Sequence, residues 1–201
     1  MVMAEATNHY FKHLGVSDGL SQVCIPSIYQ DELGAVWLGT TEGLNRYNGK
    51  DVKVFQPSES NHGLTNNEIN ELCGDKNGRM YIRSGNDLIK LDIYTEQFTC
   101  LRQKGVYGLF CKKDTLWVSC ADGIYYYTGQ GTELTFFARV QKGFVGRALY
   151  VDKETVWVVT RKYLVAISPE DPLRQEILLT LDKGNCILGD SSGNIWVGAW
   201  N

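Results

Sequence analysis

A motif of about forty residues recurs along this 201-residue chain. Its clearest mark is an aromatic residue that follows a short run of turn-forming residues, at Trp37, Tyr81, Trp117, Trp157 and Trp196. By subtraction, successive aromatic positions are 44, 36, 40 and 39 residues apart. A glycine-led marker stands upstream of each one, at Gly19, Gly63, Gly105, Gly143 and Gly184. Two markers in phase at a period near forty indicate a repeat architecture.

Each unit has the pattern of four short strands. In the first unit the strands are predicted at residues 23–30, 35–40, 44–47 and 51–55, and turn residues, including the hairpin dipeptide Asn48-Gly49, separate them. We find no segment with a convincing helical period. The sequence therefore predicts an all-β fold, a partial β-propeller of four-stranded antiparallel blades in one domain over residues 1–201. The expected blades are residues 20–60, 64–103, 106–141 and 145–182, with an incomplete fifth at 185–201.

The turn before each aromatic anchor carries a repeated Asp-x-x-Gly in units one, two and five, beginning at Asp31, Asp75 and Asp190. An aspartate here can accept hydrogen bonds from the backbone amides just ahead of it, and the glycine accepts positive φ. Units three and four lack this turn and are degenerate. We expect all five aromatic anchors to pack between blades, with Trp117 and Trp157 mostly buried. The alternative is a row of sugar-stacking platforms.

Composition sets the outer limits of the interpretation. The chain is 43% hydrophobic and 21% charged, with a net charge of −3, which is typical of a soluble globular protein and argues against nucleic acid as a partner. No apolar run approaches the length of a membrane span. Ala4-Glu5-Ala6 matches the end of a signal peptide, so residues 1–6 are either a remnant of one or a chance match. The fifth unit stops after two strands, as in a fragment of a longer protein.

The first unit resembles the two-component-regulator propeller repeat. The resemblance is carried by Asp31 and the run from Gly34 to Thr40, then by Gly43 to Tyr47, and by the opening segment His9 to Gln22. It is strong in units one and five and weaker between them. This repeat builds the periplasmic sensor half of hybrid histidine kinases, so the resemblance implies a periplasmic location in a protein anchored in the inner membrane. It also implies further propeller blades and a kinase that this chain does not contain.

Catalytic and metal chemistry is scarce in the sequence. His9 and His13 would share one face of a strand or helix, but no third ligand accompanies them, so we predict no metal site. Most of the six cysteines fall in strand-like apolar runs, which predicts small buried thiols, although an oxidising compartment would favour disulfides. No nucleophile elbow, phosphate loop or dinucleotide motif is present. We therefore predict no catalytic residues and no cofactor.

The predicted ligand site lies on the loops that enter strand one and that join strands two and three, because these loops meet on one face around the central channel. Arginine, asparagine and tyrosine there suit hydroxyl-rich or acidic sugars. The candidate ligand-binding residues are Glu42, Asn66, Asn67, Arg83, Tyr107, Arg147 and Arg161. The alternative for each is a solvated loop residue.

Three functions remain open. The first is an extracytoplasmic sensor fragment that recognises a carbohydrate or oligosaccharide and passes the signal to a kinase outside this chain. The second is a protein-binding or structural propeller, and the third is a propeller-type polysaccharide lyase. The opening strand, His9 to Leu14, would either pair with the incomplete blade or stay unpaired and allow self-association. We favour an open arc that associates through its exposed edges.

Overall fold

The structure is a computed structural model that describes residues 11–57 and 63–200. The possible signal remnant at 1–6 and His9, Tyr10 and His62 lie outside the described residues. Four antiparallel four-stranded sheets and one two-stranded sheet follow one another along the chain, and each keeps its strands in chain order. Two single 3-10 turns, Val16–Asp18 and Gln141–Gly143, are the helical elements of the described chain.

We number the sheets as blades 1 to 5. Blade 1 contains β1 (Ser27–Gln30), β2 (Val36–Thr40), β3 (Gly43–Tyr47) and β4 (Val52–Phe55). Blade 2 contains β5 (Ile69–Gly74), β6 (Arg79–Ser84), β7 (Asp87–Asp92) and β8 (Gln97–Arg102). Blade 3 contains β9 (Val106–Lys112), β10 (Thr115–Cys120), β11 (Gly123–Tyr127) and β12 (Thr135–Ala138). Blade 4 contains β13 (Gly146–Val151), β14 (Val156–Thr160), β15 (Tyr163–Ile167) and β16 (Gln175–Thr180), and blade 5 contains β17 (Gly184–Gly189) and β18 (Ile195–Ala199).

This architecture confirms the predicted fold, a partial propeller with four complete blades and a short fifth. The first strand of each blade lies innermost, and β1, β5, β9, β13 and β17 contact one another in that order. The predicted opening strand does not form in its described part. Residues 11–14 have no strand pairing, and Lys12 donates a hydrogen bond of 2.8 Å to the Tyr47 hydroxyl of blade 1.

The aspartate turns accept backbone hydrogen bonds as the sequence predicts, and the aspartate of blade 1 also accepts one, not predicted, from its aromatic anchor. In blade 1, Asp31 Oδ1 accepts hydrogen bonds from the amides of Leu33 and Ala35 at 3.0 and 2.9 Å. Gly34 then takes φ of 86°, in the left-handed region that glycine tolerates. The second oxygen, Asp31 Oδ2, accepts a hydrogen bond of 2.8 Å from the indole N–H of Trp37. We call this pair of interactions the Asp–Trp clamp.

The Asp–Trp clamp also forms where the sequence pattern is weak. Blade 4 has no Asp-x-x-Gly turn, yet Asp152 accepts a hydrogen bond of 2.7 Å from Trp157 Nε1 and two from the amides of Glu154 and Thr155. Blade 5 repeats the clamp between Asp190 and Trp196 at 3.0 Å. Blade 4 is therefore less degenerate than its sequence indicates, because a turn shorter by one residue still places the carboxylate under the indole.

Blades pack on each other through a large-against-small pairing on their inner strands. Tyr29 of blade 1 lies over Gly74 of blade 2, and Tyr150 of blade 4 lies over Gly189 of blade 5, where a methyl group on either glycine would overlap the tyrosine ring. Outward from these contacts lies the aromatic anchor, which is the cross-strand partner of the inner residue: Tyr29 pairs with Trp37, and Tyr150 with Trp157. Directly opposed residues share a face of the sheet, so each anchor faces the following blade.

Burial of the aromatic anchors depends on what that following blade provides. Trp37 and Tyr81 are fully buried, in the apolar clusters that join blade 1 to 2 and blade 2 to 3. Trp117 and Trp157 are partly exposed but mostly buried, as predicted, and Trp117 packs against the apolar cluster that joins blades 3 and 4. Trp196 is 62% exposed, so the prediction that all five anchors pack between blades is wrong for this residue. The reason is that no further sheet in the described chain covers the face of blade 5 on which Trp196 lies.

The cysteines are also less buried than predicted. Cys120 is buried, Cys73, Cys100 and Cys111 are half-buried, and Cys24 and Cys186 are exposed. Of the two exposed cysteines, Cys24 lies in the segment before β1. Cys186 lies in β17 of blade 5, on which no further sheet of the described chain packs. Within residues 11–57 and 63–200, no helix has the length and apolar character that a membrane-spanning helix requires.

Candidate functional site

The inner strands of all five blades border one central cavity of about 600 Å³. The first strands of the blades run alongside each other, so each of them contributes residues to the wall of this cavity. The lining residues include Ser27 of β1, Asn70 and Glu71 of β5, Tyr107 of β9, Arg147 of β13 and Asn185 of β17. About half of the lining residues are polar, so the cavity offers hydrogen-bonding groups beside apolar surface to a ligand.

Three of the predicted ligand residues meet at one side of this cavity. Tyr107 and Arg147 line the central cavity, and with Arg161 they also line a neighbouring one of about 340 Å³. The Arg147 guanidinium carbon lies 5.7 Å from the centre of the Tyr107 ring, within the range of a cation–π interaction. We call Tyr107, Arg147 and Arg161 the arginine cluster. It lies where β9, β13 and the β14–β15 hairpin converge.

The arginine cluster carries uncompensated positive charge. None of the ion pairs formed within the described residues involves Arg147 or Arg161, and both side chains are exposed. Lys162 lines the 340 Å³ cavity, and Lys183 lines a third one of about 180 Å³ beside the same two arginines. The residues around these two smaller cavities include no carboxylate. Such a site favours anionic groups, and guanidinium groups can bind carboxylate in a bidentate manner.

Aromatic side chains border the same charges. Phe144 lines the 340 Å³ cavity together with Tyr107, and Trp200 lines the 180 Å³ cavity with 65% of its surface exposed. Flat apolar faces next to hydrogen-bond donors are the combination that binds a sugar ring, since one face of the ring is apolar and its edge is polar. Sequence analysis missed Phe144 and Trp200. Phe144 directly follows Gly143, the marker glycine of unit four, so its position in the loop that enters strand one could have identified it as a candidate.

Arg83 lines the central cavity, but its guanidinium is already engaged. Arg83 Nε lies 3.3 Å from Glu71 Oε2, and the same oxygen accepts a hydrogen bond of 3.1 Å from the backbone amide of Leu109. Burial raises the pKa of the Glu71 carboxyl, and Arg83 opposes that shift. At the blade 1–2 interface Ser27 Oγ plays the same part by accepting from the Leu72 amide at 2.9 Å. Glu71, which the sequence analysis missed, therefore fills a position that links neighbouring blades.

Glu42, Asn66 and Asn67 do not line this cavity. The polar groups of the two asparagines hold loops in place: Asn66 Oδ1 accepts from the Glu68 amide at 2.8 Å, and the Asn67 carbonyl accepts from the Gly43 amide at 2.7 Å. The Glu42 carbonyl accepts a hydrogen bond of 2.8 Å from Gln56 Nε2. The structure thus brings Tyr107, Arg147 and Arg161 together and places Arg83 nearby. Glu42, Asn66 and Asn67 lie elsewhere on the same face.

Residues 11–57 and 63–200 contain no group of three or more histidine, cysteine or acidic side chains arranged to hold a metal ion. His13 is exposed, and its proposed partner His9 lies outside the described residues.

Comparisons with known proteins agree with the resemblance found in the sequence. Residues 19–42 match the family model described as two component regulator propeller. Over 53 residues, 26% of the chain, the sequence is 40% identical to histidine kinase P4 of Formosa agariphila, of which the chain spans only 4%. Both matches rest on short segments of this chain.

Solved structures show the same fold over nearly the whole chain. The extracellular domain of a putative hybrid two component system from B. thetaiotaomicron matches with a TM-score of 0.80 and 23% identity, over 94% of this chain and 29% of that one. The extracellular domain of a putative one component system from the same organism matches with a TM-score of 0.76 and 20% identity, over 92% and 30%. The chain therefore spans less than a third of each solved relative. It is a β-propeller segment that carries the two-component-regulator propeller repeat.

Proposed function

We propose that this chain is part of the extracytoplasmic sensor region of a two-component system and that it binds an acidic oligosaccharide at the arginine cluster. The observation that supports this most directly is the pair Arg147 and Arg161, which line shared cavities beside Tyr107 with no carboxylate partner among the described residues. The location and the link to a kinase rest on the family match and on what the solved relatives are said to be.

Chemistry favours an acidic sugar over a neutral one. A neutral sugar would use the hydroxyl-binding groups of Asn70 and Asn185 and the aromatic faces but would leave both guanidinium groups bound only to water. A uronate carboxylate adds charge-assisted hydrogen bonds, which are about twice as strong as neutral ones. The sugar ring of the uronate can stack on an aromatic face while its carboxylate points at the two arginines. Discrimination between the two sugars should therefore come from Arg147 and Arg161.

The test is calorimetric titration of the 201-residue chain with an oligogalacturonate and with a neutral galacto-oligosaccharide of the same length. We expect binding of the acidic probe that weakens as salt rises, and at least tenfold weaker binding of the neutral one. Arg147→Ala should reduce affinity for the acidic probe by tenfold or more. Arg139→Ala is the matched control, because Arg139 is an exposed arginine of the same chain that lines none of the three cavities around the arginine cluster.

Each of the remaining functions predicts a different result. Equal binding of both probes, unchanged in Arg147→Ala, would contradict the acidic-sugar proposal. Cleavage of the probe, detected through the absorbance of the unsaturated product, would favour a lyase. Absence of binding to either probe would favour a protein-binding or structural propeller, for which the exposed face of blade 5 offers a surface.

A further inference from the structure

Two cysteines meet across the interface between blades 2 and 3. Cys73 lies near the end of β5, Cys111 lies near the end of β9, and their sulfur atoms are 2.8 Å apart. This separation is longer than the S–S bond of a disulfide, about 2.05 Å, so the two cysteines are thiols in direct contact. The remaining four cysteines of the chain have no such neighbour among the described residues.

The packing of the blades explains why these two side chains face each other. At the interfaces of blades 1–2 and 4–5, a tyrosine on one inner strand fills the space over a glycine on the next. Cys73 occupies the tyrosine position in blade 2, since it pairs with the anchor Tyr81 as Tyr29 pairs with Trp37. The opposing strand offers Cys111 in place of a glycine. Two side chains of intermediate size thus replace one large and one absent side chain.

A hydrogen bond between β5 and β9 fixes the relative position of the two cysteines. Glu71 and Leu109, two residues earlier on β5 and β9, are joined by the hydrogen bond of 3.1 Å between the carboxylate and the amide. Both pairs are separated by 38 residues in sequence, so the two inner strands run side by side in a fixed register from one contact to the next. Neither sulfur therefore has to wait for a loop movement to reach the other.

We propose that Cys73 and Cys111 form a disulfide that ties blade 2 to blade 3 when the protein is exposed to a disulfide donor. A thiolate of the pair attacks a small disulfide such as oxidised glutathione, and its sulfur–sulfur bond breaks to release one glutathione thiolate. The second protein thiolate then attacks the mixed disulfide and releases the other. The two cysteines lose two electrons to glutathione, and their two thiol protons pass to solvent.

The surroundings of the pair set its reactivity. Burial raises the pKa of the Cys73 thiol well above its usual range, and the neighbouring Cys111 thiol adds to that shift. Since the thiolate is the reactive form, exchange should be slow at neutral pH and faster at pH 9. Cys111 is half-buried, so a small disulfide can reach its thiol, and the more enclosed Cys73 thiol then has only to attack the sulfur beside it.

Peptide mapping provides a direct test, because trypsin leaves each of the six cysteines in a different peptide. The folded chain is incubated with oxidised glutathione at pH 9, its free thiols are alkylated, and it is digested without reduction. We expect peptides 54–76 and 105–112 to appear joined, two hydrogens lighter than their sum, and the other four cysteines to be alkylated or to carry a single glutathione. Alkylated Cys73 and Cys111, or joining of either to another cysteine, would overturn the proposal.

Stability gives a second readout. Because the bond closes a loop of 38 residues, the oxidised chain should melt about 5–15 °C above the reduced chain. Cys111→Ser should abolish this difference, and Cys24→Ser, which removes an exposed thiol, should keep it. If the difference persists in Cys111→Ser, the bond does not form there. The outcome is independent of the ligand and location proposed above: sugar binding can fail while the disulfide forms, and the reverse.

Discussion

Replacing the clamped tryptophans one at a time by phenylalanine should destabilise the protein in the order Trp37, Trp157, Trp196. All three indoles donate to an aspartate at 2.7–3.0 Å, so the hydrogen bond is nearly constant across the series. What differs is burial: Trp37 is fully buried, Trp157 is half-buried, and Trp196 is 62% exposed. The series therefore separates the contribution of the bond from that of its surroundings.

The expected loss is largest for Trp37. Phenylalanine cannot donate to Asp31, which is itself only 4% exposed, so the carboxylate oxygen would lose a partner that water cannot easily replace. A hydrogen bond to a charged group contributes about 1.5–3 kcal/mol. The smaller ring also leaves a void beside Phe55, with a further cost of about 1–2 kcal/mol. We expect a total of about 3–5 kcal/mol for Trp37→Phe and about 1–2 kcal/mol for Trp157→Phe, where solvent offsets part of both effects.

Trp196→Phe should show the smallest change of the three, because water can take the place of the indole N–H at the exposed Asp190 and the hydrogen bonds from Ser192 and Asn194 remain. The assay is urea denaturation followed by far-ultraviolet circular dichroism, which is preferable to fluorescence because tryptophan is the residue removed. Midpoints are compared at an unchanged denaturant slope, so that the shift reports stability alone.

A flat series would contradict this argument. If Trp196→Phe lowers the midpoint as much as Trp37→Phe, the clamp stabilises each hairpin locally and burial between blades is irrelevant. If Trp37→Phe is harmless, the carboxylate of Asp31 has other means of satisfaction in the folded chain.

Three further measurements test other features. Hydrogen bonds from the Trp196 indole first, then from the Asn194 side chain and the backbone amides of Asn194 and Ser192, lower the pKa of Asp190 to about 2 from an ordinary 3.8, so the contribution of these bonds to the blade 5 hairpin should be present above about pH 4 and be lost as the pH falls through about 2. The Trp196 indole resonance should follow that titration, and Asp190→Asn should remove it. Tyr81→Phe should leave stability unchanged or raise it, because the buried Tyr81 hydroxyl has no partner among the described residues. Tyr127→Phe should lower stability by about 1 kcal/mol, because it removes a hydrogen bond of 2.8 Å to the Gly131 carbonyl, and both are read as urea midpoints. Light scattering should show a mass that rises with concentration, and Leu188→Lys on the exposed face of blade 5 should suppress the rise, whereas a constant mass in the parent chain would argue against self-association.

The blade pattern was predictable because it depends on short-range chemistry. Turn residues such as Asp31 and Gly34 specify a hairpin through their own backbone preferences, and the aromatic anchor follows at a fixed distance. The prediction failed for unit four, which was considered degenerate because it lacks the Asp-x-x-Gly turn. Asp152 makes the same clamp from a turn one residue shorter. The indole hydrogen bond itself was missed, since the pattern shows that aspartate and tryptophan recur together but not that they touch.

The candidate site was predictable only to the level of a face. Loop position placed Asn66 and Asn67 beside Arg147, but no pattern reveals which loop groups are consumed by holding neighbouring loops. Sequence reasoning also could not find Glu71, because an acidic residue within a strand gains its meaning from the amide of Leu109 on the next blade. Contacts between blades depend on register and bulges, such as the one between Ser119 and Cys120, that leave little trace in one sequence.

The exposed face of blade 5 and the central cavity meet at one strand. Leu188 of β17 lines the cavity and is 64% exposed, and Trp200, just past β18, stands beside Arg161 and Lys183. Any sheet that packs on blade 5 in the way blade 2 packs on blade 1 would cover Leu188 and Trp196, because these occupy the positions of Tyr29 and Trp37. It would also change the wall of the cavity next to the arginine cluster. We therefore expect that a neighbour covering this face changes the affinity for a ligand at the arginine cluster, and that, by reciprocity, the ligand changes the affinity for the neighbour by the same factor.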